Sequence, residues 1–382
     1  MTMRILPLAL IGCCGPALLM AQRATEFETR PATALENDRI ELLVLNKGGA
    51  FASLTLKDDA GKMNPLWNPV MLARKEGREG RFGDSIGHFV CVDGFGPTSK
   101  EESAAGFQGH GEAHRQPWEQ VSAEKTGKVQ RIKWKATLPI VQEVLTRQVE
   151  LVDGEQVVYV ESELESLLGF DRPANWAEHG TIGYPFLTPE KTVVDASVGR
   201  CETRPYTNSR QHRLESEKEF QYPAAPLIAG GSTNLRTVPA QPNSMDHTGC
   251  LFDTSRRLAF VTAINLEQKM MFGYLIRREE YPWLQEWMNY PANLSLARGL
   301  EFGTQPFDVS RRETVEMGKL FGQAAFRWLP AKSKIGTRFL MFYTRVPDGF
   351  SKVDDVRMDA GSLVIEDKAA GKTIRLAASL TL

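Results

Sequence analysis

The sequence has few cysteines and no excess of charge of either sign. Two of its five cysteines fall within the first 21 residues, which leaves Cys91, Cys201 and Cys250 at wide spacing. This odd number predicts neither a disulfide framework nor a Cys/His metal site. Lys and Arg number 46 against 47 Asp and Glu, with no long basic block. The balance argues against nucleic acid and against an anionic membrane surface as partners.

A long uninterrupted apolar run is also missing. Arg4 precedes an apolar stretch at residues 5–20, which contains prolines and ends in small residues near Ala21. The stretch is too short for a good membrane span and is typical of a secretory signal peptide. We predict a signal peptide over residues 1–21, a single domain over residues 22–382 and a periplasmic or secreted location, without a stable membrane span after cleavage.

A lipoprotein anchor is the alternative for this leader. Cys13 follows Leu10, Ile11 and Gly12 in the manner of a lipoprotein cleavage site. The apolar run continues past Cys13, however, and little sequence precedes it, so cleavage near Ala21 is favoured.

Convincing amphipathic helices are scarce, and short strands with turns fill the remaining chain. Apolar and polar residues alternate over residues 131–138, which predicts a strand with one buried and one solvated face. Asp153 and Gly154 separate two valine-rich runs and predict a tight hairpin. Many short strands punctuated by Gly and Pro indicate an all-β sandwich or barrel.

Two common catalytic signatures are missing as well. The sequence contains neither a Gly-x-Ser-x-Gly nucleophile elbow nor a glycine-rich phosphate loop. Three segments carry candidate chemistry instead: HGEAHRQPWE at 110–119, NWAEHGTIGYPF at 175–186 and RGLEFGTQPF at 298–307. Two of the six histidines, His110 and His179, and the acid Glu301 stand at their centres.

These segments, in this order, resemble motifs of the galactose mutarotase-like (aldose 1-epimerase) superfamily. NKGGAFASL at 46–54 resembles the strand that opens such domains, so the similarity runs from about Ile40 to the C-terminus. The resemblance implies a large antiparallel β-sandwich, the galactose mutarotase-like supersandwich, and a sugar or oligosaccharide ligand. It further implies interconversion of sugar anomers without metal or cofactor, with His179 as general acid, Glu301 as general base and His110 binding the sugar.

The division of roles agrees with the chemistry of a hemiacetal. Ring opening requires one proton delivered to the ring oxygen and one removed from the anomeric hydroxyl. An imidazole titrates near neutrality, and burial can raise a carboxylic acid toward the same range. Each positioned proton transfer contributes on the order of 10²–10⁴ in rate.

Some positions depart from the family pattern. His114 stands where the family has an Arg after its first His. Arg81, or alternatively Arg78, is the candidate for the other sugar-binding Arg. Asp246 falls in the interval of the family's sugar-binding Asp, within a stretch rich in Pro and Gly that we expect to be a loop.

Aromatic side chains near the motifs are candidates for the walls of a sugar cleft, because aromatic rings pack on apolar C–H faces. Trp118, Trp176 and Trp287 are predicted to bind substrate, whereas Trp134 is expected in the core. Trp283 is four residues before Trp287 and shares its face in a strand, so one of the two lines a cleft or both pack in the core.

Structural interpretations remain open for each candidate. A lone His, or a Glu facing solvent, is commonly structural, and this applies to His110, His179 and Glu301. Glu178 should face away from His179 on a strand and be solvated or salt-bridged. Arg298 is expected at the surface. Asp84 and His88 form a polar pair that we expect in a loop near the cleft mouth.

The function therefore has competing hypotheses. The first is an aldose 1-epimerase. The second is a carbohydrate-binding protein of the same fold without catalysis, and the third is an accessory domain of another sugar-processing enzyme. Retention of both His179 and Glu301 favours the first, whereas His114 at the family's Arg position and the expected loop location of Asp246 favour the others.

Overall fold

The computed structural model describes residues 22–78, 85–205 and 212–382. The first sixteen strands are β1 (Arg23–Phe27), β2 (Arg30–Glu36), β3 (Ile40–Leu45), β4 (Phe51–Leu56), β5 (His88–Val92), β6 (Glu119–Thr126), β7 (Val129–Leu138), β8 (Glu143–Val152), β9 (Val157–Ser166), β10 (Arg172–Ala174), β11 (Trp176–Gly183), β12 (Thr192–Ala196), β13 (Val198–Thr203), β14 (Glu219–Gln221), β15 (Ala224–Pro226) and β16 (Ser232–Asn234). The remaining strands are β17 (Ser244–Phe252), β18 (Leu258–Asn265), β19 (Met270–Arg277), β20 (Trp283–Tyr290), β21 (Ala297–Gly299), β22 (Glu301–Gly303), β23 (Lys319–Leu320), β24 (Gln323–Ala324), β25 (Arg327–Leu329), β26 (Lys334–Arg345), β27 (Asp355–Asp359), β28 (Ser362–Asp367) and β29 (Lys372–Ala377).

Helices are few and short. They are α1 (Pro69–Lys75), α2 (Lys100–Ala104) and α3 (Arg311–Met317), together with a 3₁₀ turn at Ala113–Arg115. None of the helices in these ranges has the length and apolar character that a membrane span requires.

Two large antiparallel sheets face each other. The larger, of twelve strands, runs β1-β2-β3-β4-β5-β11-β21-β20-β17-β13-β14, with β22 inserted between β11 and β20. The smaller, of eight strands, runs β12-β18-β19-β26-β9-β8-β7-β6. This arrangement confirms the predicted all-β, large antiparallel sandwich.

The main core lies between the two sheets. Ile132, Trp134, Ala136 and Leu138 of β7 are buried there, as the alternation of the sequence predicts. Leu42, Leu54, Val90, Trp176 and Phe302 contribute from the larger sheet. The β8–β9 hairpin forms at the predicted turn, where Gly154 has a φ of +93°.

A small third sheet, β27-β28-β29, covers the other face of the eight-stranded sheet. Val356, Leu363 and Ile365 from this sheet form a second apolar cluster with residues such as Phe260 and Phe342. The smaller sheet is thus covered on both faces, which leaves the outer face of the larger sheet to carry the candidate site.

The expectation of no disulfide framework was wrong. Cys201 of β13 and Cys250 of β17 form a disulfide and are direct partners in the strand register. Both are fully buried, and Cys91 is a buried free thiol. Sequence spacing alone did not reveal this pair, because the chain between the two cysteines leaves and returns to the same sheet.

Glu178 takes the salt-bridged form of its two expected alternatives, and it does so between the sheets. Its carboxylate accepts from Arg147 Nη2 at 2.5 Å and Tyr281 Oη at 2.9 Å, and contacts His88 Nε2 at 2.8 Å. His88 therefore belongs to buried strand β5 and not to a loop, while Asp84 lies outside the described residues.

Arg298 was wrongly predicted to lie at the surface. Its side chain is fully buried and donates to Glu286 at 2.5 Å, so the pair satisfies its charge inside the sandwich. A charged residue on a strand cannot be assigned to the surface without knowing whether a partner faces it from the neighbouring strand.

Candidate functional site

The candidate site is a pocket on the outer face of the larger sheet, where β5, β11, β22, β20 and β17 lie near one another. The cavity has a volume of about 180 Å³. It is lined by Trp67, Ser85, Phe89, His110, His179, His247, Trp287, Glu301 and Asp308. The structure thus brings together three residues of the separate sequence motifs, His110, His179 and Glu301.

His179 and Glu301 face each other across adjacent strands. Pairing of Thr181 with Gly299 and of Ala177 with Gly303 places them on the same face of the sheet. Nε2 of His179 lies 3.4 Å from Oε1 of Glu301, and its Nδ1 is hydrogen-bonded with the Thr181 hydroxyl at 2.9 Å.

Gly299 makes room for the Glu301 carboxyl group. A Cβ atom at Gly299 would lie 2.1 Å from Oε1 of Glu301 and 2.6 Å from its Cδ. The carboxyl group therefore folds back over the bare backbone of the preceding strand, and a larger residue at position 299 would displace it.

The environment disfavours charge on both members of the pair. Burial raises the pKa of Glu301 well above its ordinary value, and the nearby Asp308 charge adds to this. Burial also lowers the pKa of His179 well below its ordinary value, reinforced by His110. Both shifts favour the neutral forms, a carboxylic acid beside an imidazole, which together share one transferable proton.

His110 occupies a turn with a φ of +65° but is not an exposed loop residue. Its Nδ1 accepts a hydrogen bond from the Gly96 N–H at 3.3 Å, and its ring lies 5.2 Å from that of His179 in an edge-on arrangement. Burial lowers the pKa of His110 to about 4. The neutral ring accepts at Nδ1, so Nε2 carries the hydrogen as a donor.

Aromatic rings define the walls of the pocket. Phe89 stacks on His179 with ring centroids 4.2 Å apart, which fixes the plane of the imidazole. Trp67 and Trp287 meet edge to face at 5.7 Å, and both line the cavity. Gly183 allows this packing, since a Cβ there would lie 2.7 Å from Cδ1 of Trp67.

A second His–carboxylate contact lies in the same pocket. Nδ1 of His247, on β17, is 3.4 Å from Oδ1 of Asp308. Arg204 also contacts Oδ1 through its Nε and donates from Nη2 to the main-chain oxygen of Asp308 at 3.0 Å. The pocket therefore contains two carboxyl groups with different partners.

The structure does not bring three of the predicted substrate-binding residues to the cavity. Asp246 lies on strand β17, not in the expected loop, and its buried carboxylate binds Arg213 with contacts of 2.7 and 2.8 Å. Trp118 donates to the Ala113 carbonyl at 3.0 Å, and both Trp118 and Trp176 pack in the main core. Arg81 lies outside the described residues.

Other pocket residues were missed by the sequence reasoning. Trp67, Ser85 and Phe89 come from segments without a motif. His247 and Asp308 carried a usable signal, since His247 follows Asp246 directly and Asp308 directly follows the segment at 298–307. On a strand, choosing Asp246 over His247 reverses the face.

Within the described ranges, no group of three or more His, Cys, Asp or Glu side chains has the arrangement of a metal site. The chemical repertoire of the pocket, from the groups that line it, is proton transfer, hydrogen bonding and stacking on apolar faces. Those properties suit a polyhydroxylated ring compound.

Comparisons with known proteins agree on the fold. No protein-family model and no curated protein sequence matches the chain. Solved structures do: a Klebsiella pneumoniae protein provisionally described as an aldose 1-epimerase has a TM-score of 0.60 at 12% identity, covering 84% of this chain and 82% of that one.

Two further structures extend the comparison. A galactose mutarotase-like protein from Clostridium acetobutylicum gives a TM-score of 0.57 at 10% identity, over 86% of this chain and 99% of that chain. A TPR-domain containing protein from Parabacteroides distasonis gives 0.56 at 13% identity, over 87% of this chain but 50% of that chain. The chain therefore has the fold of the galactose mutarotase-like superfamily.

Proposed function

We propose that this protein interconverts the anomers of an aldose, in the manner of an aldose 1-epimerase. The observation that carries the proposal is the contact between His179 and Glu301, 3.4 Å apart in a pocket that Trp67, Phe89 and Trp287 also line. Anomer exchange needs one group that gives a proton and one that takes a proton, and this pair provides both within reach of one sugar ring.

The mechanism follows from the single proton that the pair shares. Transfer from Glu301 to Nε2 of His179 gives a carboxylate beside an imidazolium, whose Nδ1–H donates to the Thr181 hydroxyl. Glu301 then removes the proton of the anomeric hydroxyl while His179 protonates the ring oxygen. The bond between the anomeric carbon and the ring oxygen breaks and leaves an open-chain aldehyde.

Rotation about the adjacent carbon–carbon bond presents the other face of the aldehyde. Reclosure reverses both transfers: the hydroxyl gives its proton to His179 as it attacks, and the new anomeric oxygen receives one from Glu301. No net proton enters or leaves the pair, so the pocket returns to its starting state. His110, through Nε2–H, can hold a ligand oxygen during these steps.

The dimensions of the pocket support a ligand with one sugar ring in the site. A cavity of about 180 Å³ is smaller than the roughly 300–1,000 Å³ typical of pockets for drug-sized ligands. Trp67 and Trp287 provide an apolar surface for the C–H face of that ring.

A sugar-binding protein without catalysis is the second candidate. The diversion of Asp246 to Arg213, away from the cavity, favours it. His114 favours it as well, because it stands where the family has a cationic Arg. Burial lowers the pKa of His114 to about 2, which favours a neutral imidazole at that position.

Anomer exchange distinguishes the two candidates. Freshly dissolved α-anomers of a panel of aldoses are followed by polarimetry and by saturation-transfer NMR. We expect faster exchange than in buffer, and a loss of at least about a hundredfold in Glu301→Gln and His179→Asn. The exposed Glu279 provides a matched control, Glu279→Gln, which should retain wild-type exchange. Sugar binding without exchange by the wild type would leave the second candidate.

We also propose that the protein is exported, as the leader at residues 1–21 predicts. The disulfide between Cys201 and Cys250 supports this location, because such bonds persist in oxidising compartments and are rare in the cytosol. Fractionation of the native host with an antibody tests it, and recovery only in the cytosol would refute it.

A further inference from the structure

We propose that Thr181 is a positioning residue for the proton-transfer pair: its hydroxyl accepts a hydrogen bond from Nδ1–H of His179 and so keeps Nε2 directed at Glu301. The inference rests on the proposed function in taking His179 and Glu301 as the groups that exchange the proton. It adds a third member, which does not line the cavity and acts only through the imidazole.

The backbone of β11 places Thr181 beside His179. Residues two apart on a strand share one face, so the Thr181 side chain lies on the same outer face as the imidazole. The main chain of Thr181 is held on both sides, because its N–H donates to the Gly87 carbonyl at 3.1 Å and its carbonyl accepts from the Trp67 N–H at 2.9 Å. A β-branched side chain has few rotamers on such a backbone. The hydroxyl therefore has a fixed position at one edge of the imidazole.

Stacking alone does not fix the ring of His179. Phe89 lies nearly parallel to the imidazole, with ring centroids 4.2 Å apart and an interplanar angle of 20°. A half-turn about the Cβ–Cγ bond preserves this stacking, but it exchanges Nδ1 with Cδ2 and Nε2 with Cε1. Nε2 would then no longer face Glu301. The hydrogen bond to Nδ1 distinguishes the two orientations, because a C–H group in that place is a much weaker donor.

The contacts at the two edges of the ring together determine which nitrogen carries the hydrogen. A neutral imidazole has one N–H and one lone pair, and a hydroxyl can bond with either. The acid form of Glu301, 3.4 Å from Nε2, requires the lone pair there in order to pass on its proton. The hydrogen then stands on Nδ1, where the Thr181 hydroxyl accepts it at 2.9 Å. The opposite tautomer would direct an N–H at the acid and leave no acceptor for its proton.

A neutral hydroxyl suits a proton that must move in both directions. When Glu301 gives its proton to Nε2, the imidazolium keeps its Nδ1–H and its hydrogen bond to Thr181, so no polar group rearranges during the transfer. A carboxylate in place of the hydroxyl would hold the positive charge on His179 through a charge-assisted hydrogen bond and oppose return of the proton. Thr181 therefore stabilises the imidazolium without trapping it.

Long-range proton–nitrogen NMR spectra test the proposal without any sugar. Isotope-labelled protein is produced as residues 22–382 and measured at neutral pH, and the His179 signals are assigned by their loss in His179→Asn. We expect a protonated Nδ1 and an unprotonated Nε2 in the wild type. Thr181→Val keeps the shape of the side chain but leaves Nδ1–H a buried donor without that partner, so we expect the hydrogen to move toward Nε2.

Anomer exchange measures the consequence for catalysis. Saturation-transfer NMR gives kcat and KM at varied concentrations of whichever of glucose, galactose and mannose the wild type exchanges fastest. Thr181 is fully buried and does not line the cavity, so Thr181→Val should leave KM unchanged. It should lower kcat by about tenfold to a hundredfold, the effect of losing one hydrogen bond to a charged group, here the imidazolium.

Two further variants separate the hydroxyl from a general loss of packing. Thr181→Ser keeps the hydroxyl and should restore the wild-type tautomer and most of the exchange rate. Thr262→Val is the matched control, because Thr262 is a fully buried threonine of β18 in the smaller sheet and donates to the Asp195 main-chain oxygen at 3.2 Å. Its substitution removes a comparable hydrogen bond but should leave the His179 signals and the exchange rate as in the wild type.

The outcomes are distinct from those of the proposed function. An Nε2–H tautomer in the wild type overturns the role of Thr181, and this measurement requires no variant at position 181 to fold. Wild-type His179 signals and a wild-type kcat in Thr181→Val overturn it as well, as does a serine variant that behaves like the valine variant. Absence of exchange in the wild type refutes the epimerase, whereas a tautomer that changes in Thr181→Val alone still supports the positioning of His179.

Discussion

Removal of the disulfide should destabilise the domain by a predictable amount. The change is the double variant Cys201→Ala/Cys250→Ala, produced as residues 22–382 in an oxidising host. Both cysteines are buried and directly paired in the register of β13 and β17, so two alanines fit the same sheet without a new polar group. The main effect is then on the unfolded chain, which loses its cross-link.

The magnitude follows from the length of chain that the bond closes. The cysteines are 49 residues apart, and the loop-closure relation assigns such a cross-link about 4 kcal/mol at 25 °C. The unfolding entropy is near 2.1 cal/mol/K per residue, so a domain of ~360 residues has a total unfolding entropy of about 0.8 kcal/mol/K. Losing about 4 kcal/mol of stability therefore lowers the melting temperature by about 5 °C.

Urea unfolding followed by far-UV circular dichroism measures the change. The double variant should have a lower midpoint and a larger m value than the oxidised wild type, because its unfolded state is more expanded. Wild type unfolded in the presence of a reducing agent is the control and should follow the curve of the double variant, since the cross-link is lost there without a mutation.

Thiol titration supplies the refuting result. Wild-type protein produced as residues 22–382 and unfolded without reducing agent should contain one reactive thiol, Cys91, and reduction should raise the number to three. Three thiols before reduction would show that the bond does not form. Equal free energies of unfolding for the oxidised wild type and the double variant would refute the entropic argument even with the bond present.

Three further predictions concern the strands at the site. Gly299→Ala should reduce anomer exchange by at least about tenfold with little loss of stability, because the added methyl group displaces the Glu301 carboxyl group. Gly180→Ala should instead lower the free energy of unfolding by about 1–3 kcal/mol, because its Cβ would lie 2.4 Å from a core tyrosine hydroxyl. Exchange rates and melting temperatures that do not differ between the two variants would contradict this prediction. Urea titrations should show that Glu301→Gln gains stability relative to wild type as the pH rises from 5 to 8. The reason is that the raised pKa of Glu301 makes its ionisation unfavourable to the folded state above the unfolded value of 4.5, and each pKa unit is worth about 1.4 kcal/mol. A difference in the free energy of unfolding that does not depend on pH would refute this. Glu178→Gln should destabilise the fold by about 3–5 kcal/mol by leaving Arg147 buried without a counter-charge, and denaturant curves that match wild type would contradict this assignment.

Periodicity predicted the fold class because it depends on local physics. The alternation in β7 and the turn at Gly154 each concern neighbouring residues, whose burial and φ follow from residue type. The large antiparallel sandwich itself came from motifs resembling a superfamily, and the structure agrees. The order of strands in the sheets, which passes from β5 to β11 and from β13 to β17, is not written in local periodicity.

The residues of the candidate site were predictable where a sequence motif marked them. They were not predictable where the strand register determines which face of the sheet a side chain occupies. His179 and Glu301, 122 residues apart in the sequence, were paired on the basis of the resemblance, and the structure places them in contact. Asp246 was selected over His247 because Asp is the family residue, but position 246 faces away from the cavity. Arg298 and Cys201 depended on partners in neighbouring strands, which only the assembled sheet identifies.

The same register explains why the site tolerates buried ionisable groups. Glu178 and His179 are adjacent on β11 and face opposite sides of the sheet, the first bound to Arg147 and His88 in the core and the second to Glu301 in the pocket. A slip of one residue in the register would exchange their faces. The Glu178 carboxylate would then lose its partners in the core, and the His179 imidazole would lose its partner in the pocket. The ion pairs in the core therefore specify the register of β11, and with it the direction in which His179 points.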